Sequence, residues 1–184
     1  AADVVWKLPC SLSVIQDSLG VIAHSPNSLR LAEKWYGGES TNWAVIPLMR
    51  DSQISADKEL ARKALGFGAG DFLVCAFGML GPTKLNQRIL LAWLKSRLAG
   101  DKTCHLVFVG ENHPGNYGQD LLATIRSSVA RKNIRITGWT GQEVFRQYLA
   151  AADVGVQLRP LSRGETSGAV LDCMNYGMAT SVNA

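Results

Sequence analysis

From Phe72 onward the chain repeats one unit: a short apolar run, then a longer stretch whose apolar residues recur at helical spacing. Short apolar runs suit strands buried on both faces, and the amphipathic stretches between them suit crossovers joining parallel strands. The repeat therefore predicts an α/β domain with a doubly wound, Rossmann-like parallel sheet. Strands are expected at residues 72–77, 105–109, 134–137, 154–158 and 179–182, with helices at 86–98, 119–131, 142–151 and 167–176. Val144, Tyr148 and Leu149 show the helical spacing within the third of these helices.

Ahead of the repeat the pattern is looser. It predicts a short strand at 21–23, a helix at 26–36 with Pro26 at its start, and another strand at 45–46. Pro47 and the polar residues 50–52 then interrupt it, which reads as a linker over 48–54. A helix follows, expected to be capped by Ser55 and closed by Gly66. At 184 residues the chain exceeds one average domain and falls short of two, and its 47% hydrophobic content is ample for a core. It begins without Met and stops just after an apolar run, so both ends read as cuts within a longer protein.

Charge and cysteine usage narrow the function classes. Nineteen Lys and Arg against 15 Asp and Glu give a net charge of +4, but the basic residues never form a run of three. This is a mild attraction for anions and no nucleic-acid footprint. Cys10, Cys75, Cys104 and Cys173 stand far apart, with neither a metal-knuckle nor a disulfide-framework spacing, as core thiols of a reduced, cytoplasmic protein would. No run approaches the ~20 apolar residues of a membrane span, so contact with a membrane would be peripheral. His24, His105 and His113 are dispersed and no Asp-x-Asp pair occurs, which gives no basis for a metal site.

Two segments carry possible chemistry. The first, Gly78-Met79-Leu80-Gly81-Pro82-Thr83-Lys84-Leu85, joins the first strand of the repeat to its helix. Glycines there let a ligand approach the backbone, the helix start offers N–H groups to a phosphate, and Lys84 adds a cation, with its stem expected in an exposed turn. Taken alone, the segment reads better as an ordinary turn with a solvated lysine. The second runs from Arg159 to Met174. Thr166, Ser167 and Gly168 suit a helix start whose amides could meet an anion, and Arg163 brings a planar donor fork to the same place. Glu165 and Asp172 fall about two turns apart, where carboxylates suit sugar and ribose hydroxyls. As ordinary structure, Glu165 would only favour the helix dipole and Asp172 would be a solvated surface residue.

In order along the chain, 78–85, the strand 106–110, the run 133–138, Ala151-Ala152-Asp153-Val154 and 165–177 resemble the marks of glycosyltransferase family 4, the group 1 retaining enzymes. The resemblance spans roughly residues 21–184. It implies a GT-B fold in which 55–184 is the nucleotide-sugar-binding, C-terminal domain, 48–54 the linker and 1–47 a remnant of the acceptor-side domain. It implies a UDP-, GDP- or ADP-sugar donor, a hydroxyl acceptor of glycan or lipid-linked type held mainly by the other domain, and no metal. Lys84 matches the lysine that grips the diphosphate, with Gly81 in the same turn. Glu165 and Asp172 resemble the acidic pair on sugar and ribose, and Gly138 with Trp139 falls in the loop resembling the nucleobase pocket.

Two departures stand out. Met79 takes the place where the family has an arginine, with Arg163 a substitute. Six residues, instead of seven, separate Glu165 from Asp172, and the second is Asp in place of Glu. A fragment of this kind is expected to bind donor and to transfer sugar poorly on its own. A non-catalytic sugar-nucleotide-binding or scaffolding subunit is the competing reading. A nicotinamide-dependent enzyme is weaker, because Gly66-Phe67-Gly68-Ala69-Gly70 precedes the first strand instead of following it.

Overall fold

The computed structural model describes residues 12–37, 42–50, 56–160 and 166–183. These fall into two compact units, one reaching Met49 and including Thr166, the other starting at Arg50 and resuming at Ser167.

The first unit holds α1 (Leu12–Asp17), β1 (Val21–Ala23), α2 (Pro26–Tyr36) and β2 (Trp43–Val45). β1 and β2 pair in parallel, Val21 with Trp43 and Ala23 with Val45, so the second strand lies two residues earlier than the apolar pair Val45-Ile46 suggests. Ile46 still donates to the Ala23 carbonyl, and its own carbonyl accepts from His24 Nδ1 at 2.8 Å. Ser25 caps α2 by accepting from Ser28 N–H, with Pro26 at the first helical position where a missing N–H costs nothing.

The second unit contains α3 (Lys58–Leu65), β3 (Phe72–Phe77), α4 (Asn86–Lys95), β4 (Cys104–Val109), α5 (Asn116–Ser127), β5 (Ile134–Ile136), α6 (Gln142–Ala151), β6 (Val154–Gln157), α7 (Gly168–Asn175) and β7 (Ala179–Val182). All five strands are parallel, in the order β5-β4-β3-β6-β7, which is the doubly wound sheet expected from the repeat. Alternation along β3 and β4 divides the core. Leu73, Cys75, Phe77, Val107 and Val109 face one layer with Tyr148, Leu149 and Cys173, while Val74, Ala76, Leu106 and Phe108 face the other with Leu90, Trp93 and Leu121. Leu73, Leu90, Leu106, Phe108 and Leu121 are fully buried; each such side chain contributes about 1.5–3 kcal/mol.

Element ends differ from the sequence expectation where local hydrogen bonding decides them. Ser55 lies outside the described residues, and the α3 cap is Asp57, whose carboxylate accepts from Leu60 N–H at 2.9 Å. Gly66 closes the helix as expected, in the left-handed conformation. α4 stops at Lys95, where Ser96 turns extended and bonds back to the Trp93 carbonyl, and a short 3-10 turn covers Arg97–Gly100. α5 starts three residues early, at Asn116, because Gly115 fixes its entry against His113 Nδ1.

Asp153, singled out in sequence only as part of a motif, ties three elements together. Its carboxylate takes Lys58 Nζ at 2.6 Å, Arg62 Nη2 at 2.7 Å and Leu73 N–H at 2.8 Å. Arg62 is 6% exposed and also donates to the carbonyls of Ala69 and Ala151. A charge buried this deeply needs such a complete set of acceptors. The Cys75 and Cys173 thiols are pushed upward by burial, Cys173 to about 11, which suits inert core positions.

Candidate functional site

Strand order reverses between β3 and β6, and in open α/β sheets the crevice at such a reversal, outside the carboxyl ends of the strands, is where ligands bind. The β3–β6 ladder pairs only Val74 with Val154 and Cys75 with Gly155. Beyond it the strands are bridged by the buried side chain of Gln157. With the amide orientation assigned from its surroundings, its oxygen accepts from Phe77 N–H at 2.7 Å and its nitrogen donates to the Phe77 carbonyl at 3.2 Å.

The glycine turn after β3 is held from several sides. Gly78 adopts a φ of 102°, and its N–H donates to the Val109 carbonyl. A Cβ on Gly110, whose φ is 157°, would fall into the Gly78 carbonyl, so both positions require glycine. Gly81 N–H donates to Oδ1 of Asn86, which is only 4% exposed. Leu85 takes the left-handed conformation at φ 51°, a strain of roughly 1–3 kcal/mol for a non-glycine residue, and it opens α4. Lys84 ends the 3-10 turn Pro82–Lys84 with its stem half-buried, a correction to the exposed turn expected from sequence. Its Nζ reaches back to within 3.9 Å of where a Gly78 Cβ would stand. The ammonium thus lies over the end of β3, at the mouth of the crevice.

On the other wall, Ser167 caps α7, its hydroxyl accepting from Val170 N–H. The amides of Gly168 and Ala169 begin the helix with no carbonyl partner inside it. α7 seats closely because Gly155 leaves room: a Cβ there would stand 2.8 Å from Cys173 Sγ. Asp172, one turn into α7, is partly buried, with Arg50 Nε 2.7 Å from its Oδ1. Burial raises the Asp172 carboxyl above its ordinary range, with Arg50 pulling the other way. Thr166 groups with the first unit, and Arg163 and Glu165 lie outside the described residues. Within the second unit, Gly81, Lys84, Ser167, Gly168 and Asp172 therefore sit on the loops and helix start flanking the crevice.

The loop after β5 lies farther along the same edge. Thr137 Oγ accepts from Gly110 N–H at 3.0 Å and donates to the Gly138 carbonyl at 2.8 Å. Gly138 takes a φ of 73°, and Trp139 follows, 81% exposed. An exposed indole of this size beside the strand ends can stack a planar ring. A hollow of ≈ 410 Å³ lined by Lys58, Leu149, Asp153, Tyr176 and Met178 opens instead at the amino ends of β6 and β7, away from this edge. Among the described residues no group of three His, Cys, Asp or Glu is placed to hold a metal ion, and no helix is long and apolar enough to cross a membrane.

Asn86, Gln157 and Arg50 escape sequence reasoning. An Asn at a helix start and a Gln ending an apolar run are faint signals for the first two. Arg50, a single cation in a polar linker, carries none.

This arrangement, a parallel sheet flanked by helices, is a Rossmann-like α/β fold that solved structures share. Among solved structures, the chain is similar to Anabaena HepE in complex with UDP-glucose, at a TM-score of 0.77 and 19% identity, over 96% of this chain and 48% of that one. It is also similar to sucrose-phosphate synthase from Thermosynechococcus elongatus (TM-score 0.75, 17% identity, 96% of this chain and 43% of that one). A third is the C-terminal domain of a glycosyl transferase group 1 family protein, LpcC, from Francisella tularensis (0.58, 19%, 70% and 65%). The chain spans about half the length of HepE. At these identities the likeness is one of fold. No protein-family model and no curated protein sequence matches the chain.

Proposed function

We propose that this chain is the donor-binding part of a retaining glycosyltransferase of family 4 type, holding a nucleoside-diphosphate sugar in the crevice between β3 and β6. The observation that carries the reading is the approach of Lys84 and the start of α7 to that crevice from opposite walls, with Asp172 one turn inside. Residues 1–47 would then belong to the acceptor-side domain, with 48–54 the linker. HepE, which shares the fold, is known with UDP-glucose bound, which supports a nucleoside-diphosphate sugar as the partner here.

In transfer, the bond from the anomeric carbon to the phosphate oxygen breaks, a bond to the acceptor hydroxyl forms, and the hydroxyl proton leaves. The sugar becomes oxocarbenium-like while the departing phosphate gains negative charge. Preorganised donors aimed at that charge lower the barrier most, and Lys84, Arg163 and the amides of Ser167 and Gly168 take this role. Glu165 is assigned to sugar hydroxyls, Asp172 to the ribose, Gly81 to close backbone approach, and Gly138 with Trp139 to the base. The acceptor side falls to the other domain, so this chain alone should bind donor and transfer slowly. The phosphate charge is met by side chains and amides, and no metal is proposed.

Isothermal titration of this chain with UDP, GDP and ADP, with and without EDTA, tests the reading. Binding of at least one that survives chelation is expected. No binding of any, or strict dependence on magnesium or manganese, would overturn it. A non-catalytic sugar-nucleotide-binding subunit is the second reading, favoured by Met79 standing exposed where the family has an arginine. Sugar transfer by the full-length protein would exclude it.

A further inference from the structure

The loops at the amino ends of β4 and β5 have no part in the assignments above, yet the fold gathers on them cations that stand scattered in sequence. Asn133 laces the two loops together, its Nδ2 donating to the carbonyls of Asp101 at 3.1 Å and Cys104 at 3.0 Å. Lys95, Arg97 and Lys102 stand on the first loop and the helix end before it, and Arg126, Arg131 and Lys132 on the second. All six are exposed, and among the described residues none meets a carboxylate. Asp101, on the same edge, is engaged by Thr103, accepting from its N–H at 2.9 Å and its hydroxyl at 2.7 Å, and Asp71 faces His105. Lys95 and Arg126 fall in the last turns of α4 and α5, where a cation offsets the helix dipole. That need does not extend to the other four.

Apolar side chains stand among these charges. Ser128 ends α5 in extended conformation and Ala130 is buried, so Val129 between them is turned outward, 100% exposed. On the other loop, Ala99 packs against the core while its neighbour Leu98 stays exposed. An apolar tip ringed by cations suits a surface that is anionic outside and apolar beneath. A nucleic acid or an acidic protein would engage the cations and gain nothing from Val129.

We propose that this edge docks on a bilayer surface bearing anionic phospholipid headgroups. The six cations meet headgroup phosphates, and Val129 with Leu98 enters the boundary of the acyl chains. The crevice lies at the opposite, carboxyl ends of the same parallel strands, so a docked domain keeps it open to water. Docking does not require a nucleotide in the crevice.

The test is co-sedimentation of the chain with vesicles of phosphatidylcholine alone and of equal parts phosphatidylcholine and phosphatidylglycerol. Binding is expected to the mixed vesicles only, and to weaken as salt is raised. Each cation at such a surface multiplies partitioning about fivefold, so Arg126→Glu/Arg131→Glu/Lys132→Glu should weaken it by about a hundredfold or more. Val129→Ser, which leaves the charge untouched, should weaken it several-fold through the lost apolar contact. Arg30→Glu/Lys34→Glu/Arg88→Glu makes the same change in net charge on exposed residues elsewhere and should bind close to wild type. All these side chains are exposed, so each variant should keep the wild-type circular dichroism spectrum. No binding to mixed vesicles, equal binding to neutral ones, or equal loss in the two triple variants would overturn docking by this edge. A Val129→Ser variant that binds vesicles as wild type does, while both bind heparin as tightly, would overturn it in favour of a soluble polyanion.

Discussion

Replacing Lys84 with Ala separates a ligand-gripping lysine from a turn-building one. The turn is held by bonds that do not use the Lys84 side chain: Lys84 N–H bonds to the Gly81 carbonyl at 2.9 Å, Leu85 N–H to the Pro82 carbonyl, and Gly81 N–H to Asn86. Truncation to Cβ leaves all three in place and removes the half-buried stem and its ammonium over Gly78. A hydrogen bond to a charged group contributes about 1.5–3 kcal/mol, so diphosphate affinity should fall by roughly one to two orders of magnitude. The corresponding nucleoside, which lacks phosphate, should bind Lys84→Ala and wild type alike. Titration calorimetry with both ligands, alongside thermal unfolding, measures each quantity. A variant that keeps its diphosphate affinity but melts several degrees lower would refute the reasoning and make Lys84 a structural turn residue.

Asp153→Asn should lower stability by roughly 3 kcal/mol near neutral pH, because Arg62 loses its buried counter-charge. Burial pushes the Asp153 carboxyl up, but the Lys58 hydrogen bond, the Leu73 N–H and Arg62 outweigh it and hold it below the usual range. Its contribution is therefore fully present above about pH 4, the unfolded carboxylate value, and is lost as pH falls through the lower folded value. The gap between wild-type and variant melting temperatures should narrow in acid; a constant gap between about pH 3 and 7 would count against the Asp153–Arg62 pairing as its source. Gly155→Ala should destabilise by about 1–3 kcal/mol through overpacking against Cys173 and Met178, seen as an earlier denaturant midpoint, and an unchanged midpoint would mean that α7 is free to shift.

The sheet was legible because a parallel strand buried on both faces must be apolar throughout, and β3 begins and ends where its apolar run does. β7 falls on its expected bounds but is mostly exposed, against the buried strand its residues suggest, because it lies at the edge of the sheet. Helix ends were less legible. Asp57, two residues after Ser55, and Ser96, inside an otherwise helical run, act through single side-chain hydrogen bonds that periodicity does not register. The glycine turn and the α7 start could be found from composition, since both need residues with unusual backbone freedom or capping oxygens. The partners that set their geometry could not. Asn86 bonds five residues back and Gln157 acts across strands far apart in sequence. Arg50 and Asp172 form an ion pair although they stand far apart in sequence.

The join between β3 and β6 consists of a two-residue ladder closed at each end by a side chain. Asp153 takes Leu73 N–H at the amino end, and Gln157 takes both polar groups of Phe77 at the carboxyl end. Isotope exchange along β3 would consequently be uneven. The Phe77 amide is guarded by one rotatable side chain at the lip of the crevice, so its deuterium uptake follows the motion of Gln157, whereas Cys75, inside the ladder, opens only with the sheet. A ligand that fills the crevice and stills Gln157 would slow exchange at Phe77 while leaving Cys75 unchanged, which makes a single backbone position a native reporter of occupancy.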